Sequence, residues 1–181
     1  MNKSKHIIIL AAVFVLLVGI IAGRLLQPKQ QSSPPKWSFL TVKFSPRGGA
    51  TEQIISAIGN AQKSVKVLAY SFTSEPIINA LINAHKNGIL VEAILDDGSN
   101  NEDSSGYVAL KQVGIRVLLD NSHKIQHNKV IIIDDEIVLT GSFNFSKSAE
   151  ENNAENSVPI FDPSFVKLYL EDYKKHLDHS K

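Results

Sequence analysis

The chain of 181 residues is 43% hydrophobic and 20% charged, a globular composition that suits one domain plus an appendage and excludes a disordered or collagen-like chain. It has no cysteine, which rules out disulfides, zinc–thiolate sites, iron–sulfur clusters and cysteine nucleophiles. The net charge of +1 hides an asymmetry: residues 1–36 hold five basic residues and no acidic one, leaving 14 Lys and Arg against 18 Asp and Glu in residues 37–181, about −4. A non-specific nucleic-acid binder usually carries excess positive charge, so any nucleic-acid or phospholipid substrate must be held here by local basic residues.

Residues 7–23 form an uncharged apolar run with Lys3 and Lys5 before it and Arg24 after it. No polar face appears at any period, which argues against a buried core helix. The run is slightly long for a signal-peptide core and at the lower limit for a membrane span, and Ile21-Ala22-Gly23 is a weak cleavage site. Residues 1–26 are therefore expected to be a signal peptide or an N-terminal membrane anchor, and either places the following domain outside the cytoplasm, in the bacterial periplasm or cell envelope. Residues 27–36 (QPKQQSSPPK) read as a solvated, proline-rich tether, and residues 37–181 as the folded domain.

Within that domain short apolar runs alternate with helical patterns. Strands are expected at Leu40–Phe44, Val65–Phe72, Leu90–Leu95, Ile115–Leu119 and Val158–Phe161, with a hairpin of Lys129–Ile133 and Ile137–Gly141 around Asp134 and Asp135. Helices are expected at Thr51–Ala61, at Glu75–Asn87 with Gly88 as its C-terminal cap, and at Gly106–Val113 closed by Gly114. A last helix starts at Asp162-Pro163 and runs to about Leu177, with Asp162 as cap and Pro163 in the first turn. The fold class is α/β: a mixed β-sheet covered by helices on both faces, preceded by an N-terminal apolar helix.

The stretch that carries chemistry is His127-Asn128-Lys129 with Asp134, followed by Gly141-Ser142-Phe143-Asn144. His127 and Lys129 are two apart in a strand and share a face, as do Ser142 and Asn144. A two-residue loop at Asp134-Asp135 sets Ser142 opposite His127 and Thr140 opposite Lys129; a three-residue loop turns Ser142 away. An imidazole can act as nucleophile or base near neutral pH, while an ammonium and an amide hold phosphate oxygens as charge develops on them. No carboxylate cluster with metal-ligand spacing accompanies the patch, so no metal and no cofactor is expected.

These residues match the HxK(x)4D(x)6GSxN signature, and the chain resembles the phospholipase D superfamily. Phe44-Ser45-Pro46, Ala69-Tyr70-Ser71-Phe72-Thr73 and Ala154-Glu155-Asn156 resemble one branch, the small secreted bacterial Nuc-type endonucleases and the related mitochondrial cardiolipin hydrolase, over about residues 38–177. The resemblance implies a phospholipase D-like fold and a metal-independent phosphodiesterase. His127 would form a phosphohistidine, Lys129 and Asn144 would bind the phosphate oxygens with support from Ser142, and Glu155 would orient the imidazole. Asp134 and Gly141 belong to the signature as structural residues. The chemistry needs two imidazoles and the chain has one such motif, so a homodimer sharing its active site across a two-fold axis is implied. The branch favours a non-specific endonuclease on DNA or RNA; a phospholipase D acting on phospholipid head groups, attached to a membrane through residues 7–23, is the alternative, and an inactive binding module the second.

Tyr70 and Ser71 stand between core packing and a site wall, and Lys124 between a solvated loop and a substrate contact. His123 reads as part of that solvated loop, His85 as a helix-face residue, and His176 and His179 as members of a solvated tail. Asp96-Asp97 reads as a turn and Ser99–Ser105 as a flexible loop beside the site.

Overall fold

The computed structural model describes residues 36–100 and 105–181. The expected apolar helix and the tether through Pro35 lie outside the described residues, as does most of the Ser99–Ser105 loop. Among the described residues no helix is long and apolar enough to cross a membrane.

The elements run β1 (Lys43–Phe44), α1 (Ala50–Gly59), β2 (Ser64–Ala69), α2 (Glu75–Lys86), β3 (Leu90–Asp96), α3 (Ser105–Gln112), β4 (Arg116–Asp120), β5 (Lys129–Ile133), β6 (Ile137–Gly141), α4 (Lys147–Glu151), β7 (Asn156–Ile160) and α5 (Pro163–His179). The strands form one seven-stranded sheet in the order β1-β7-β6-β5-β2-β3-β4. β2, β3 and β4 are parallel neighbours, and the remaining pairs are antiparallel. The mixed sheet follows from the alternation of strand and helix through β4, succeeded by a hairpin.

The strands are apolar on both faces because both faces are covered. Val65, Val67, Val91, Ala93, Leu95, Ile131, Ile133, Ile137 and Leu139 join one core with the buried residues of α1 and α2 and Leu110 of α3. The residues between them, Leu68, Ile94, Val130, Ile132 and Val138, meet Val166 and Tyr173 of α5 on the other face. That strict alternation is the period-2 signature of pleated strands. Several helix ends have an identifiable cause. The Asp162 carboxylate accepts from Ser164 N at 2.8 Å to start α5, and Gly88 takes φ 86° just past α2, where a Cβ would be strained. The start of α1 is capped from a distance: the Glu150 carboxylate accepts from Gly49 N at 3.2 Å and Thr51 N at 2.8 Å.

The elements depart from expectation in several places, and the strand expected to reach Phe72 ends at Ala69. The first strand is only Lys43–Phe44, and the short helix α4, capped by Ser146 accepting from Ala149 N at 3.3 Å, has no long apolar period to announce it. The hairpin loop holds three residues, Asp134 to Glu136, since Ile133 pairs with Ile137 and Ile131 with Leu139. Asp134 and Asp135 sit at φ 56° and 58°, which these short polar side chains tolerate.

Candidate active site

The connectivity gathers the signature at one end of the sheet. The pairs Ala69–Lys129, Ile131–Leu139 and Gly141–Ser157 bring the last residues of β2 and β6 beside the first residues of β5 and β7. Tyr70-Ser71, His127, Ser142 to Asn144 and Glu155 all leave the sheet there, at the carboxyl end of parallel strands β2–β4, the edge where open α/β sheets place their ligands.

His127 stands just before β5 and is exposed. Its ring lies against Tyr70, with centroids 4.6 Å apart and planes tilted by 58°, and Tyr70 N donates to Asn128 O at 3.0 Å, which fixes that approach. Lys129 is 6% exposed. Its ammonium donates to the His127 carbonyl at 2.6 Å and lies 5.1 Å from the centre of the Tyr70 ring. An ammonium has three N–H donors, and this is the one hydrogen bond it makes among the described residues. Burial pushes its pKa below the ordinary 10.5, and the charge of Glu155 pulls it back up. A dry cation with unused donors beside an open imidazole has the chemistry to receive an anion.

Glu155 is half-buried and takes Asn153 Nδ2 on Oε1 at 3.2 Å. Its backbone is held by Ser45, whose N donates to Glu155 O at 3.0 Å and whose hydroxyl accepts from Glu155 N at 3.2 Å. Among the described residues no hydrogen bond joins Glu155 to His127; the carboxylate acts on the charge of Lys129 instead. Asn144 is half-buried, and its Oδ1 is buried with no hydrogen-bond partner among the described residues. Unpaired buried polar atoms are rare and concentrate where a ligand is received.

The three-residue loop corrects the register that would have put Ser142 across from His127. Extended by the same step, it sets Ser142 across from Asn128. The Ser142 hydroxyl is exposed and accepts from Asn156 N at 3.1 Å and Asn156 Nδ2 at 3.4 Å, so it braces the Gly141–Asn144 turn against β7. Gly141 is required there: at φ 143° a Cβ would lie 2.3 Å from Asn156 O. Asp134 is the clasp at the opposite end. Its carboxylate accepts from Gln62 N, Lys63 N and Ser64 N at 2.7–3.1 Å and from Lys36 Nζ at 2.7 Å. Burial alone would raise its pKa, but the Lys36 ammonium and those three N–H groups outweigh it and hold the carboxyl below the ordinary 3.8.

Ser71 is half-buried beside Tyr70, and Lys124 is exposed in the segment before β5; neither makes a side-chain hydrogen bond or ion pair among the described residues. The histidines read as solvated do not all stay so. His176 is buried in α5, and with His179 and His123 it surrounds the buried Asp120 carboxylate at the end of β4. Burial would raise the Asp120 pKa, yet hydrogen bonds from His176, His179 and His123 and from Ser122 N bring it down to about 2. The Asp-x-x-His and His-x-x-His spacings were in the sequence, but nothing there tied the two pairs together.

The residues and their spacing, on this fold, define a phospholipase D-like site. The family model described as "Cardiolipin synthase, PLD-like domain" matches residues 54–177, and the chain belongs to the phospholipase D superfamily. Among its relatives, a phospholipase D of Rickettsia prowazekii (strain Madrid E) is 40% identical over 130 residues, 72% of this chain and 63% of that protein. The mitochondrial cardiolipin hydrolase of Mus musculus is 28% identical over 123 residues, 68% of this chain and 56% of that protein. The chain thus spans somewhat under two thirds of the length of the curated phospholipases it matches. The crystal structure of a phospholipase D family member, Nuc from Salmonella typhimurium, superposes with a TM-score of 0.73 at 38% identity, covering 77% of this chain and 94% of that one. NucT from Helicobacter pylori superposes at 0.67 with 31% identity, covering 77% and 98%.

Proposed function

We propose that the protein is a metal-independent phosphodiesterase that works through a phosphohistidine on His127, with nucleic acid as its substrate. The observation that carries this reading is the buried Lys129 ammonium, its donors largely unused, beside the exposed His127 imidazole packed on Tyr70. A phosphodiester enters with its non-bridging oxygens on Lys129 and the Asn144 amide. A His127 ring nitrogen attacks phosphorus while the bond to the leaving oxygen breaks, and the His127 of a second chain protonates that oxygen. The second imidazole then takes a proton from water, the water oxygen attacks phosphorus, and the P–N bond breaks to free His127. Glu155 supports the cationic form of Lys129 by its charge.

The need for two imidazoles and the presence of one such motif support a homodimer closed on a two-fold axis through the site. The apolar run at residues 7–23 supports export to a bacterial periplasm or cell envelope, secreted or anchored. Likeness to the Nuc structures supports nucleic acid as substrate. Hydrolysis of a phospholipid head group is the second reading, favoured by the acidic balance of residues 37–181 and by Ile125, 50% exposed two residues before His127.

The test is to incubate the purified full chain and its His127→Ala variant with plasmid DNA, RNA or phospholipid vesicles in excess chelator. Cleavage of nucleic acid by the parent alone is expected. Head-group release with intact DNA moves the substrate to phospholipid. Equal behaviour of parent and variant on every substrate overturns the catalytic reading in favour of a binding module.

A further inference from the structure

Asp120, His123, His176 and His179 each offer one ligand atom, and those atoms all lie within 4.8 Å of one another. They come from two places in the chain. Asp120 ends β4 and His123 follows in the segment leading to β5; His176 and His179 occupy the last turn of α5. Three ring nitrogens converge on one carboxylate oxygen: His176 Nδ1 at 2.7 Å, His123 Nδ1 at 3.1 Å and His179 Nε2 at 3.2 Å from Asp120 Oδ2. The three imidazoles are packed in pairs, with centroids 5.1 to 5.4 Å apart.

From this convergence we infer that the cluster is a structural metal site for a borderline divalent cation, Zn²⁺ above all, that clamps α5 to the segment delivering His127. Three imidazoles and one carboxylate are the N3O set that zinc accepts, and four protein ligands close the shell. A tetrahedral ion with ligand bonds of roughly 2.0–2.2 Å sets its ligands about 3.3 Å apart; the three nitrogen-to-carboxylate distances of 2.7–3.2 Å would open slightly, and the wider separations, all within 4.8 Å, would close around the ion. The outer contacts fit as well. The Nε2 atom of His176 lies 3.6 Å from the Asp172 carboxylate, an acceptor placed to orient the imidazole when Nδ1 holds the ion. The carbonyl end of a helix also favours a cation, and backbone pairing of Lys181 with Leu119, at 2.7 and 3.1 Å, keeps that end on β4. The Asp120 side chain is fully buried while His123 is half exposed, so the base is fixed and the mouth is open.

The consequence runs along one short segment. Asp120 and His123 begin it, and His127 ends it next to Gln126, whose N donates to Asp96 Oδ1 at 2.7 Å. An ion at the cluster therefore braces the support of the nucleophile without touching the substrate, and the chemistry at His127 stays metal-free. This differs from the absence of any metal expected from the sequence.

The experiment uses the full chain, without a polyhistidine tag and stripped of metal, with ZnCl2 and CoCl2 as probes. His123→Asn and His179→Asn are the variants, chosen because both side chains reach solvent. One equivalent of Co²⁺ should give the visible absorption of a tetrahedral site and be displaced by Zn²⁺. Zn²⁺ at a hundredfold excess over its Kd should raise Tm by roughly 5–10 °C, and each variant should bind at least about a hundredfold more weakly. No tetrahedral Co²⁺ spectrum, or Zn²⁺ binding that survives in both variants, overturns the proposal. Neither readout depends on turnover, so the outcome is separate from that of the proposed function.

Discussion

Lys129 and Glu155 are where residue chemistry can be read in a pH profile. Burial lowers the Lys129 pKa and the Glu155 charge raises it. Removing that charge with Glu155→Gln must lower the Lys129 pKa further, so the basic limb of the kcat/KM profile should move to lower pH. The check is the profile of parent and variant on one substrate; a basic limb that stays in place contradicts an electrostatic role for Glu155. At Lys129 itself, Lys129→Met keeps the apolar stem and removes the ammonium, and kcat/KM should fall by about 10²–10³ with the fold intact. His127, Lys129, Asn144 and Asp134 could be singled out in the sequence as candidates because spacing and residue type coincide there. What Glu155 touches was not legible, because a side chain's partner depends on the path of the loop at Ser45 and Asn153, which no local pattern encodes.

The β5–β6 hairpin carries the account at the scale of elements. Its turn is held by Asp134, which anchors the backbone before β2, and its far end by the glycine that lets Asn156 approach. Asp134→Asn keeps the shape and the tolerance of φ 56° but loses the charge that Lys36 and the N–H groups satisfy. It should cost about 2 kcal/mol of stability in denaturant melts at pH 7. The sign of its pH dependence follows from the lowered folded pKa. The contribution is present above the unfolded value near 3.9 and fades as pH falls below it toward the folded value, so the difference between parent and variant should shrink on that acid limb. Gly141→Ala should cost about 3 kcal/mol, since Asn156 O is backbone and cannot rotate away. The hairpin strands were legible to the residue, whereas their pairing register was not. Two or three residues around Asp134-Asp135 read alike, and the choice turns on a register that only the sheet enforces.

At the scale of the whole molecule, the alternation of strand and helix was enough to expect a mixed sheet with both faces covered, because β2, β3, β5 and β6 are apolar at odd and even positions alike. The Asp120 cluster escaped notice for the opposite reason: its two pairs meet only after α5 has crossed the sheet. The proposed dimer makes a quantitative demand on mixtures. If two copies of His127 share each site, equal amounts of parent and His127→Ala chains, allowed to exchange, should retain about a quarter of the parent turnover. A value near half would mean that each chain works alone.

The most direct measurement is on the covalent intermediate. The full chain would be quenched during turnover of an oligonucleotide, in chelator, and the peptide spanning His127 examined by mass spectrometry. A phosphodiester-derived adduct on His127, lost when substrate is exhausted, is the expected result. Turnover that proceeds with no adduct, or that persists in His127→Ala, would contradict His127 as the nucleophile.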